Sequence, residues 1–366
     1  MPIIFHVDMD AFFASCEKAR RSELVDRPVV VCVYSGRGKE SGAVSAASYD
    51  ARDHGIHAGM PVRQARSIAR EVEQDIAFIG AEKAFYSDVS HRIRDIIAAT
   101  AAEVEPASVD EMYADMSHLP DYDAAADRAA ALQEDIVEAA GVTASIGIGP
   151  NKLVAKIASD RDKPEGVTAV PPDTVQEFLD PLPVDELHGV GPKTADMLAD
   201  LGVRTVEDLR GVRRPELVDR FGESNGVSLY RKARGEGSTE LEDADPEQLS
   251  RLTTLRDDTR DPDDIAPVLQ ELAQQVVDRV TGRGWRYSTA TVIAVTTDLE
   301  RRTRSTSFTA PQDSAERLYE TVQQLLQQFL SEHPETVLRR VGVRASGFED
   351  GRQETLESFT GGTGGS

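Results

Sequence analysis

The sequence is poor in cysteine and has no long hydrophobic run. Its 366 residues include only Cys16 and Cys32, whose separation is not a metal-ligand spacing, so we expect two buried, reduced thiols. No stretch reaches the roughly 20 apolar residues of a membrane helix, and the N-terminus lacks the pattern of a secretion signal. We therefore expect a cytoplasmic protein of about two to four domains.

The sequence also has few basic residues, and lysine is much rarer than arginine. The chain has 41 lysines and arginines against 64 aspartates and glutamates, a net charge of −23, and 33 of the 41 are arginines. Nucleic-acid-binding proteins usually carry a basic surface, whereas an acidic chain that prefers arginine to lysine resembles proteins adapted to high intracellular salt. Residues 245–345 have a net charge of only −3, as expected of a DNA-gripping module within an acidic chain.

Two short stretches carry closely spaced carboxylates. The apolar residues 3–7 lead into Asp8 and Asp10, which strand alternation places on one face. Residues 103–116 also alternate, which predicts a β-hairpin with Asp110 and Glu111 at its mouth. Clustered carboxylates, expected here without a nearby histidine or cysteine, suit Mg²⁺ or Mn²⁺ rather than zinc. Two such ions promote nucleotidyl transfer; an exposed acidic pair is the alternative.

Five motifs, in one order along the chain, resemble those of Y-family DNA polymerases. They occupy residues 7–17 (VDMDAFFASCE), 48–52 (SYDAR), 108–111 (SVDE), 146–156 (IGIGPNKLVAK) and 162–166 (DKPEG). The similarity runs from residue 3 to about 348, so it covers nearly the whole chain. The lesion-bypass branch of the family is the most similar.

The resemblance implies a fold and a domain order. The fold is α+β and multidomain, with a ferredoxin-like palm, a fingers insertion, a helical thumb that contains a helix-hairpin-helix, and a small α+β little finger. The implied boundaries are 1–10 with 78–165 for the palm, 11–77 for the fingers, 166–235 for the thumb, 236–248 for an exposed linker, 249–346 for the little finger and 347–366 for a flexible tail. Within the fingers, residues 46–54 are predicted to be helical.

The resemblance also implies the catalytic residues. Asp8, Asp110, Glu111 and the Met9 carbonyl would hold two Mg²⁺ ions, with Mn²⁺ as a possible substitute, while Asp10 faces the same way and could be structural. The residues implied to bind the incoming deoxynucleoside triphosphate are Phe12, Phe13, Tyr49, Arg52 and Lys163, with Phe13 as a steric gate that excludes a ribose 2′-hydroxyl. The family often has a threonine where this chain has Ala46, so Ser45 or Ser48 would have to supply a hydroxyl.

Two regions are predicted to contact DNA. The Gly-rich turn at 188–195 leaves backbone N–H groups free to bind phosphate at a helix start, and its contact residues are Gly189, Val190, Gly191 and Lys193. Arg301, Arg302 and Arg304, with Arg283 and Arg286, flank predicted strands and are opposed only by Asp298 and Glu300. The alternatives are an ordinary turn between helices and a solvated strand face.

The tail carries a short peptide with an aliphatic and an aromatic residue at helical spacing. Gln353, Leu356 and Phe359 resemble the peptide that tethers polymerases to the sliding clamp, although Thr360 stands where a second aromatic is usual. A disordered tail is the alternative. The expected partners are primer–template DNA, deoxynucleoside triphosphates and the clamp; we expect a monomer that does not bind membranes.

These features together predict a template-directed, low-fidelity DNA polymerase of the translesion type. No exonuclease motif set is present, so proofreading is not expected. A nucleotidyl cyclase would use the paired acids but would not need the thumb turn. A non-catalytic DNA-binding protein would not need the acids, and a clamp-binding adaptor would explain only the tail.

Overall fold

A computed structural model describes residues 1–38, 40–242 and 245–351. The strands are β1 (Ile4–Met9), β2 (Val29–Tyr34), β3 (Gly42–Ala47), β4 (Ala77–Gly80), β5 (Glu103–Pro106), β6 (Glu111–Asp115), β7 (Ala144–Gly149), β8 (Val167–Ala169), β9 (Gln248–Thr259), β10 (Trp285–Thr296), β11 (Arg301–Gln312) and β12 (Leu338–Asp350). The helices are α1 (Phe12–Arg20), α2 (Tyr49–Asp53), α3 (Val62–Glu71), α4 (Lys83–Ala98), α5 (Tyr122–Ala140), α6 (Lys152–Ser159), α7 (Val175–Leu179), α8 (Pro192–Ala199), α9 (Val206–Gly211), α10 (Arg214–Phe221), α11 (Glu223–Lys232), α12 (Pro262–Thr281) and α13 (Ala315–Glu332). Within these described ranges, no helix combines the length and the apolar character needed to cross a membrane.

Contacts divide the chain into two compact units. The first comprises Met1–Val33 and Ala43–Asp243, and the second comprises Tyr34–Gly42 and Ala244–Ser366. In the second unit, the guanidinium of Arg37 pairs with Asp258 at 2.6 Å and donates to the Leu255 carbonyl at 2.6 Å, which attaches the short segment to β9.

The main sheet of the first unit has the strand order β5-β6-β1-β7-β8. Every residue of β1 is buried. This agrees with its continuous apolar run, which is typical of a strand covered on both faces. β1 pairs antiparallel with β6 and with β7, and β5 pairs antiparallel with β6, which confirms the predicted hairpin. The apolar faces of α1, α4 and α5 pack on this sheet in one hydrophobic core.

A second sheet of the first unit has the order β3-β2-β4. The prediction of a helix from residue 46 was wrong at its start, because Ala46 and Ala47 end strand β3 and the helix begins at Tyr49. Alanine has the highest intrinsic helix propensity, but tertiary context readily overrides such propensities. Here, pairing with the mostly buried strand β2 outweighs that preference.

Helices α7–α11 form a separate core that includes Leu198, Leu209, Leu217 and Leu229. Residues 236–248, which follow α11, are predicted to form an exposed linker, but this is wrong for part of the segment. Leu241 is 7 % exposed and packs with Ile4, Tyr113 and Ala155. Lys152 N also donates to the Ser238 carbonyl at 2.9 Å. The apolar cluster around Leu241 and this backbone hydrogen bond attach residues 238–241 to the main sheet and to α6.

The second unit contains an antiparallel sheet of order β11-β10-β12-β9. Helices α12 and α13 pack on one face of it and share a core with β10 and β12. Strand β9 is long, because its pairing with β12 extends from Gln248 to Thr259.

Candidate active site

Strand pairing brings the predicted metal-binding acids together at one end of the main sheet. Asp8 is the direct cross-strand partner of Glu111, and residues directly opposite one another have side chains on the same face. Met9 N donates to the Asp110 carbonyl at 2.9 Å. Residues about 100 positions apart in the chain are therefore adjacent, as the metal site implied by the resemblance requires.

Ser108 organises the turn that carries Asp110 and Glu111. Its Oγ accepts hydrogen bonds from Asp110 N at 3.1 Å and from Glu111 N at 3.0 Å, and its hydroxyl donates to the Asp110 carboxylate. A serine two residues before an acid commonly forms such a turn. The hydroxyl thus fixes the backbone of both acids and the orientation of one carboxylate.

Two lysines contact the acids. Lys163 Nζ lies 2.7 Å from Asp8 Oδ2 and 2.7 Å from Asp160 Oδ1, while Lys156 Nζ donates to Glu111 Oε2 at 2.7 Å. Burial raises the pKa of Asp8 to about 6, although Lys163 acts in the opposite direction. The two carboxylates therefore have different affinities for a proton, since the pKa of Glu111 is lowered to about 2.

His6 also faces Glu111, which the sequence reasoning missed. It is 0 % exposed, its Nε2 lies 3.4 Å from Glu111 Oε2, and its Nδ1 lies 2.8 Å from Ser159 Oγ. The contact with His6 is the largest cause of the lowered pKa of Glu111, and the contact with Lys156 adds to it. Burial lowers the pKa of His6 itself. The expectation of acids without a nearby histidine was wrong. Alternation supplied the signal, because His6 lies two residues before Asp8 on the same strand.

In the described part of the chain, no three His, Cys, Asp or Glu side chains are grouped as a ready-made metal site. The carboxylates of Asp8, Asp110 and Glu111 are instead bonded to lysine or serine groups of the chain.

Tyr49 and Arg52 lie on the short helix α2, and Tyr49 contacts Asp10. Tyr49 donates from its hydroxyl to Asp10 Oδ1 at 3.3 Å, and burial followed by the charge of Asp10 raises the pKa of Tyr49 to about 12. Arg52 Nε donates to the Ala47 carbonyl at 2.9 Å, and its guanidinium lies 4.7 Å from the centre of the Tyr49 ring. Ser48 Oγ accepts from Val29 N at 3.0 Å, so its hydroxyl already has a structural role next to Ala46.

The two predicted phenylalanines differ in exposure. Phe12 is 2 % exposed and belongs to the core, whereas Phe13 is partly exposed. The ring of Phe13 stacks on that of Tyr86 with 4.3 Å between centroids and an interplanar angle of 16°. Tyr86 in turn donates to Glu17 Oε1 at 2.7 Å. Only Phe13 can therefore present a side chain to a ligand.

The Gly-rich turn of the helical region has the geometry expected for a helix-hairpin-helix. Gly189 has φ 87°, which favours glycine, and Gly191 precedes α8, whose first residue is a proline. Lys193 is exposed on that first turn. Val190 is buried, and Lys232 Nζ donates to the His188 carbonyl at 2.6 Å. Lys232 thus ties the turn to α11.

The predicted arginines of the second sheet do not share one face. Arg302 and Arg304 lie opposite Ala294 and Val292, which belong to the helix-covered core, and Arg304 pairs with Glu332 on α13. The prediction that only Asp298 and Glu300 oppose these arginines was therefore wrong.

Arg301 lies on the other face. It is opposite Val295, whose neighbour on β12 is Arg340. Arg344, four residues further along β12, lies on the same face as Arg340. The pKa of Arg344 is lowered by burial and then by the charge of Arg301. Arg340 and Arg344 were missed because no local motif marks them. The predicted peptide at Gln353, Leu356 and Phe359 lies outside the described residues.

Family models match three parts of the chain. Residues 7–160 match the impB/mucB/samB family, residues 185–236 match the DNA polymerase-iota thumb domain, and residues 246–357 match the C-terminal domain of the impB/mucB/samB family. A DNA polymerase IV from Methanosarcina acetivorans is 37% identical over 96% of this chain and 98% of its own. A DNA polymerase IV from Halobacterium salinarum is 36% identical over 98% of this chain and 88% of its own.

Solved structures give the same result. A Y-family DNA polymerase chimera of Dbh and Dpo4 has a TM-score of 0.89 at 32% identity, with 94% of this chain and 98% of that chain covered. An insertion ternary complex of Dbh DNA polymerase has a TM-score of 0.69 at 32% identity and the same coverage.

The fold and the family matches define a nucleotide-polymerising enzyme with a palm, a helix-hairpin-helix thumb and an additional C-terminal domain. The chain belongs to the Y family of DNA polymerases, and it is a DNA-directed DNA polymerase of the translesion type. Two-metal nucleotidyl transfer without proofreading is general in this family, and its members depend on divalent metal ions.

Proposed function

We propose that Asp8, Asp110 and Glu111, with the Met9 carbonyl, hold two divalent cations, Mg²⁺ or in its place Mn²⁺. The observation that carries this proposal is the cross-strand pairing of Asp8 with Glu111, with Asp110 held beside them by the Met9–Asp110 backbone bond. Carboxylate and carbonyl oxygens are the ligands that hard divalent cations prefer. The raised pKa of Asp8 supports the fit, since a nearby cation would favour its charged form.

Bound there, the cations would supply the Lewis acidity that lowers the pKa of the primer 3′-hydroxyl and offsets the charge of the leaving pyrophosphate. The chain's own residues then have separate tasks. Ser108 orients Asp110 through its hydroxyl. His6 and Lys156 hold Glu111, so that its carboxylate meets a ligand in one orientation.

Tyr49, Arg52 and Lys163 are proposed to bind the triphosphate, with Phe12 contributing only its backbone. Two cations and a phenol suit phosphate oxygens. Arg52 is held by its bond to the Ala47 carbonyl, and Lys163 lies next to Asp8, on the side of the acids. Phe13 is proposed to exclude a ribose 2′-hydroxyl, because its ring is partly exposed and is backed by the ring of Tyr86.

DNA is proposed to bind at the turn of Gly189, Val190, Gly191 and Lys193, and on the second sheet. Backbone N–H groups at the start of α8 are suited to a phosphate. On the sheet, we favour the face with Arg301, Arg340 and Arg344 over Arg302 and Arg304, because Arg302 and Arg304 are paired with Glu300 and Glu332.

We further propose that Gln353, Leu356 and Phe359 bind a sliding clamp, on the strength of their spacing, and that the protein is a cytoplasmic monomer. A salt-adapted origin is supported by the net charge of −23 and by the similarity to the Halobacterium enzyme. At high salt, counterion release contributes little to DNA binding. Backbone contacts at the thumb turn would then carry more of the affinity.

Primer extension with Mg²⁺, titrated with KCl, tests the proposal. We expect the wild type to extend best at high salt, and Asp110→Ala to lose on the order of 10³-fold or more, because an interaction worth several kcal/mol is removed. Glu103→Ala is the matched control, since Glu103 is an exposed acid on the same hairpin. If wild type and Asp110→Ala bind the primer–template equally and extend it equally, the metal assignment is wrong.

A further inference from the structure

Asp10 is buried beside the proposed metal ligands but has a different set of partners. It is 2 % exposed. Its Oδ1 accepts from Ser145 Oγ at 2.8 Å and from the Tyr49 hydroxyl at 3.3 Å, and its Oδ2 accepts from Glu165 N at 2.9 Å. Both carboxylate oxygens are therefore occupied by donors of the chain. Asp8, by contrast, is bonded through its Oδ2 to Lys163.

The three donors come from three separate parts of the first unit. Ser145 lies on β7, Tyr49 is the first residue of α2, and Glu165 follows α6 in the loop that carries Lys163. The backbone of Asp10 is itself fixed, since its N–H donates to the Thr143 carbonyl at 2.9 Å and its carbonyl accepts from Ser15 Oγ at 2.6 Å. One rigid carboxylate thus joins the central strands to two segments proposed to meet the triphosphate.

We propose that Asp10 is a positioning residue that sets the phenol of Tyr49 and the main chain next to Lys163 for nucleotide binding. This inference rests on the triphosphate roles proposed above for Tyr49 and Lys163. Hydrogen bonds to a carboxylate are stronger than those between neutral groups. Two of the three hydrogen bonds to the Asp10 carboxylate are short: the bond from Ser145 on β7 and the bond from the main-chain N–H of Glu165.

The third bond, from Tyr49, is the longest. An O–H···O distance of this length is beyond the usual range and indicates a weak bond. The bond to Asp10 therefore sets the direction of the Tyr49 hydroxyl before the nucleotide binds, and the hydroxyl can turn its proton to a phosphate oxygen at small cost. The Arg52 guanidinium, 4.7 Å from the ring centre, keeps its contact with the ring meanwhile.

Asp10 as a further metal ligand is the competing explanation, because strand alternation places it on the same face as Asp8. The two explanations differ for Asp10→Asn. An amide can accept from Glu165 N through its oxygen and donate through its nitrogen to Ser145 Oγ and Tyr49 Oη, which can both accept. Asparagine therefore keeps the positioning bonds, whereas it removes the charge that a metal ligand needs.

The experiment has two parts. Equilibrium affinity for the correct deoxynucleotide is measured on a dideoxy-terminated primer, with a fluorescent template base reporting binding. KM, kcat and the half-saturating Mg²⁺ concentration are measured on an extendable primer. For Asp10→Ala we expect affinity to fall about tenfold or more, because the lost hydrogen bonds are made to a charged group and such bonds are stronger than neutral ones. The half-saturating Mg²⁺ concentration should be unchanged. Asp10→Asn should stay within about threefold of wild type in affinity, as expected where hydrogen bonds are exchanged rather than lost.

Tyr49→Phe and Lys163→Ala, measured in parallel, separate the inference from the proposed function. If both weaken nucleotide binding but Asp10→Ala does not, the inference is overturned while the triphosphate roles stand. If neither weakens binding, the triphosphate roles fail and the inference fails with them.

Ser145→Ala and Asp10→Asn keep the inference testable should Asp10→Ala not fold. Ser145→Ala removes one anchoring bond away from the nucleotide and should weaken affinity about two- to fivefold, as expected for a single hydrogen bond. Wild-type affinity in Ser145→Ala, together with a raised Mg²⁺ requirement and lost activity in Asp10→Asn, would favour the metal-ligand explanation and overturn ours.

Discussion

The hydroxyl of Tyr86 is expected to stabilise the first unit more than an ordinary tyrosine hydroxyl does. It donates at 2.7 Å to Glu17, a glutamate that is 0 % exposed and is also bound by Arg20 through two hydrogen bonds of 2.7 and 3.0 Å. A buried carboxylate depends on such donors. Tyr86→Phe removes one of them without changing the ring that supports Phe13.

The expected size follows from the kind of bond removed. A hydrogen bond to a charged group contributes about 1.5–3 kcal/mol, against about 0.5–1.5 kcal/mol for one between neutral groups. Tyr122→Phe is the matched control, because the Tyr122 hydroxyl donates to the neutral Pro2 carbonyl at 3.3 Å and its ring is also buried. For a unit of this size, about 1 kcal/mol corresponds to a change in Tm of about 2–4 °C.

Thermal unfolding of the two variants at one salt concentration is the assay. Tyr86→Phe should melt about 3–12 °C below wild type and clearly below Tyr122→Phe. Equal melting temperatures would show that Glu17 does not need this donor.

The stacking of Phe13 on Tyr86 should affect the selectivity for deoxyribonucleotides over ribonucleotides, and Tyr86→Ala tests this. A stacked aromatic pair contributes about 0.5–1.5 kcal/mol beyond its buried area. Loss of the supporting ring should lower discrimination against ribonucleotides by about two- to tenfold, while Tyr86→Phe should preserve it. Equal discrimination in both variants would mean that Phe13 does not depend on Tyr86.

The remaining predictions concern the acid site, the residues after α11 and the thumb turn. Because burial raises the pKa of Asp8 from 3.8 to about 6, the folded protein holds this proton more tightly than the unfolded chain, so stability should fall as pH rises through that window; melting in EDTA should show this slope for wild type and a flatter one for Asp8→Asn. Leu241→Ala should cost about 2–4 kcal/mol locally and increase protease cleavage between residues 236 and 248, whereas Leu201→Ala, at an exposed leucine, should not. Lys232→Met should weaken DNA binding about equally for all sequences, since it frees the turn at His188 that is proposed to contact only the DNA backbone; a change in sequence preference alone would contradict this.

Local patterns in the sequence were sufficient for the elements that carry the acids. The apolar run before Asp8 and the alternation around Glu111 correctly predicted a buried strand and a hairpin, because burial and strand periodicity are local properties. The motifs supplied the family and, with it, the topology that pairs these strands.

Contacts between distant segments were not accessible in the same way. Lys156 and Ser159 reach Glu111 and His6 only because α6 packs beside β1, and nothing in their own neighbourhood marks that role. Leu241 was assigned to an exposed linker because its neighbours are acidic and small. Its burial depends on a patch formed by residues far away in the chain.

The scarcity of lysine gives the palm an unusual chemical property. Three of the chain's eight lysines, Lys152, Lys156 and Lys163, lie within twelve positions and each contacts a palm carboxylate. An amine-selective reagent therefore has few competing targets elsewhere on this arginine-rich protein. Its rate of labelling at Lys163, with and without nucleotide, would act as an intrinsic reporter of how this end of the sheet is occupied.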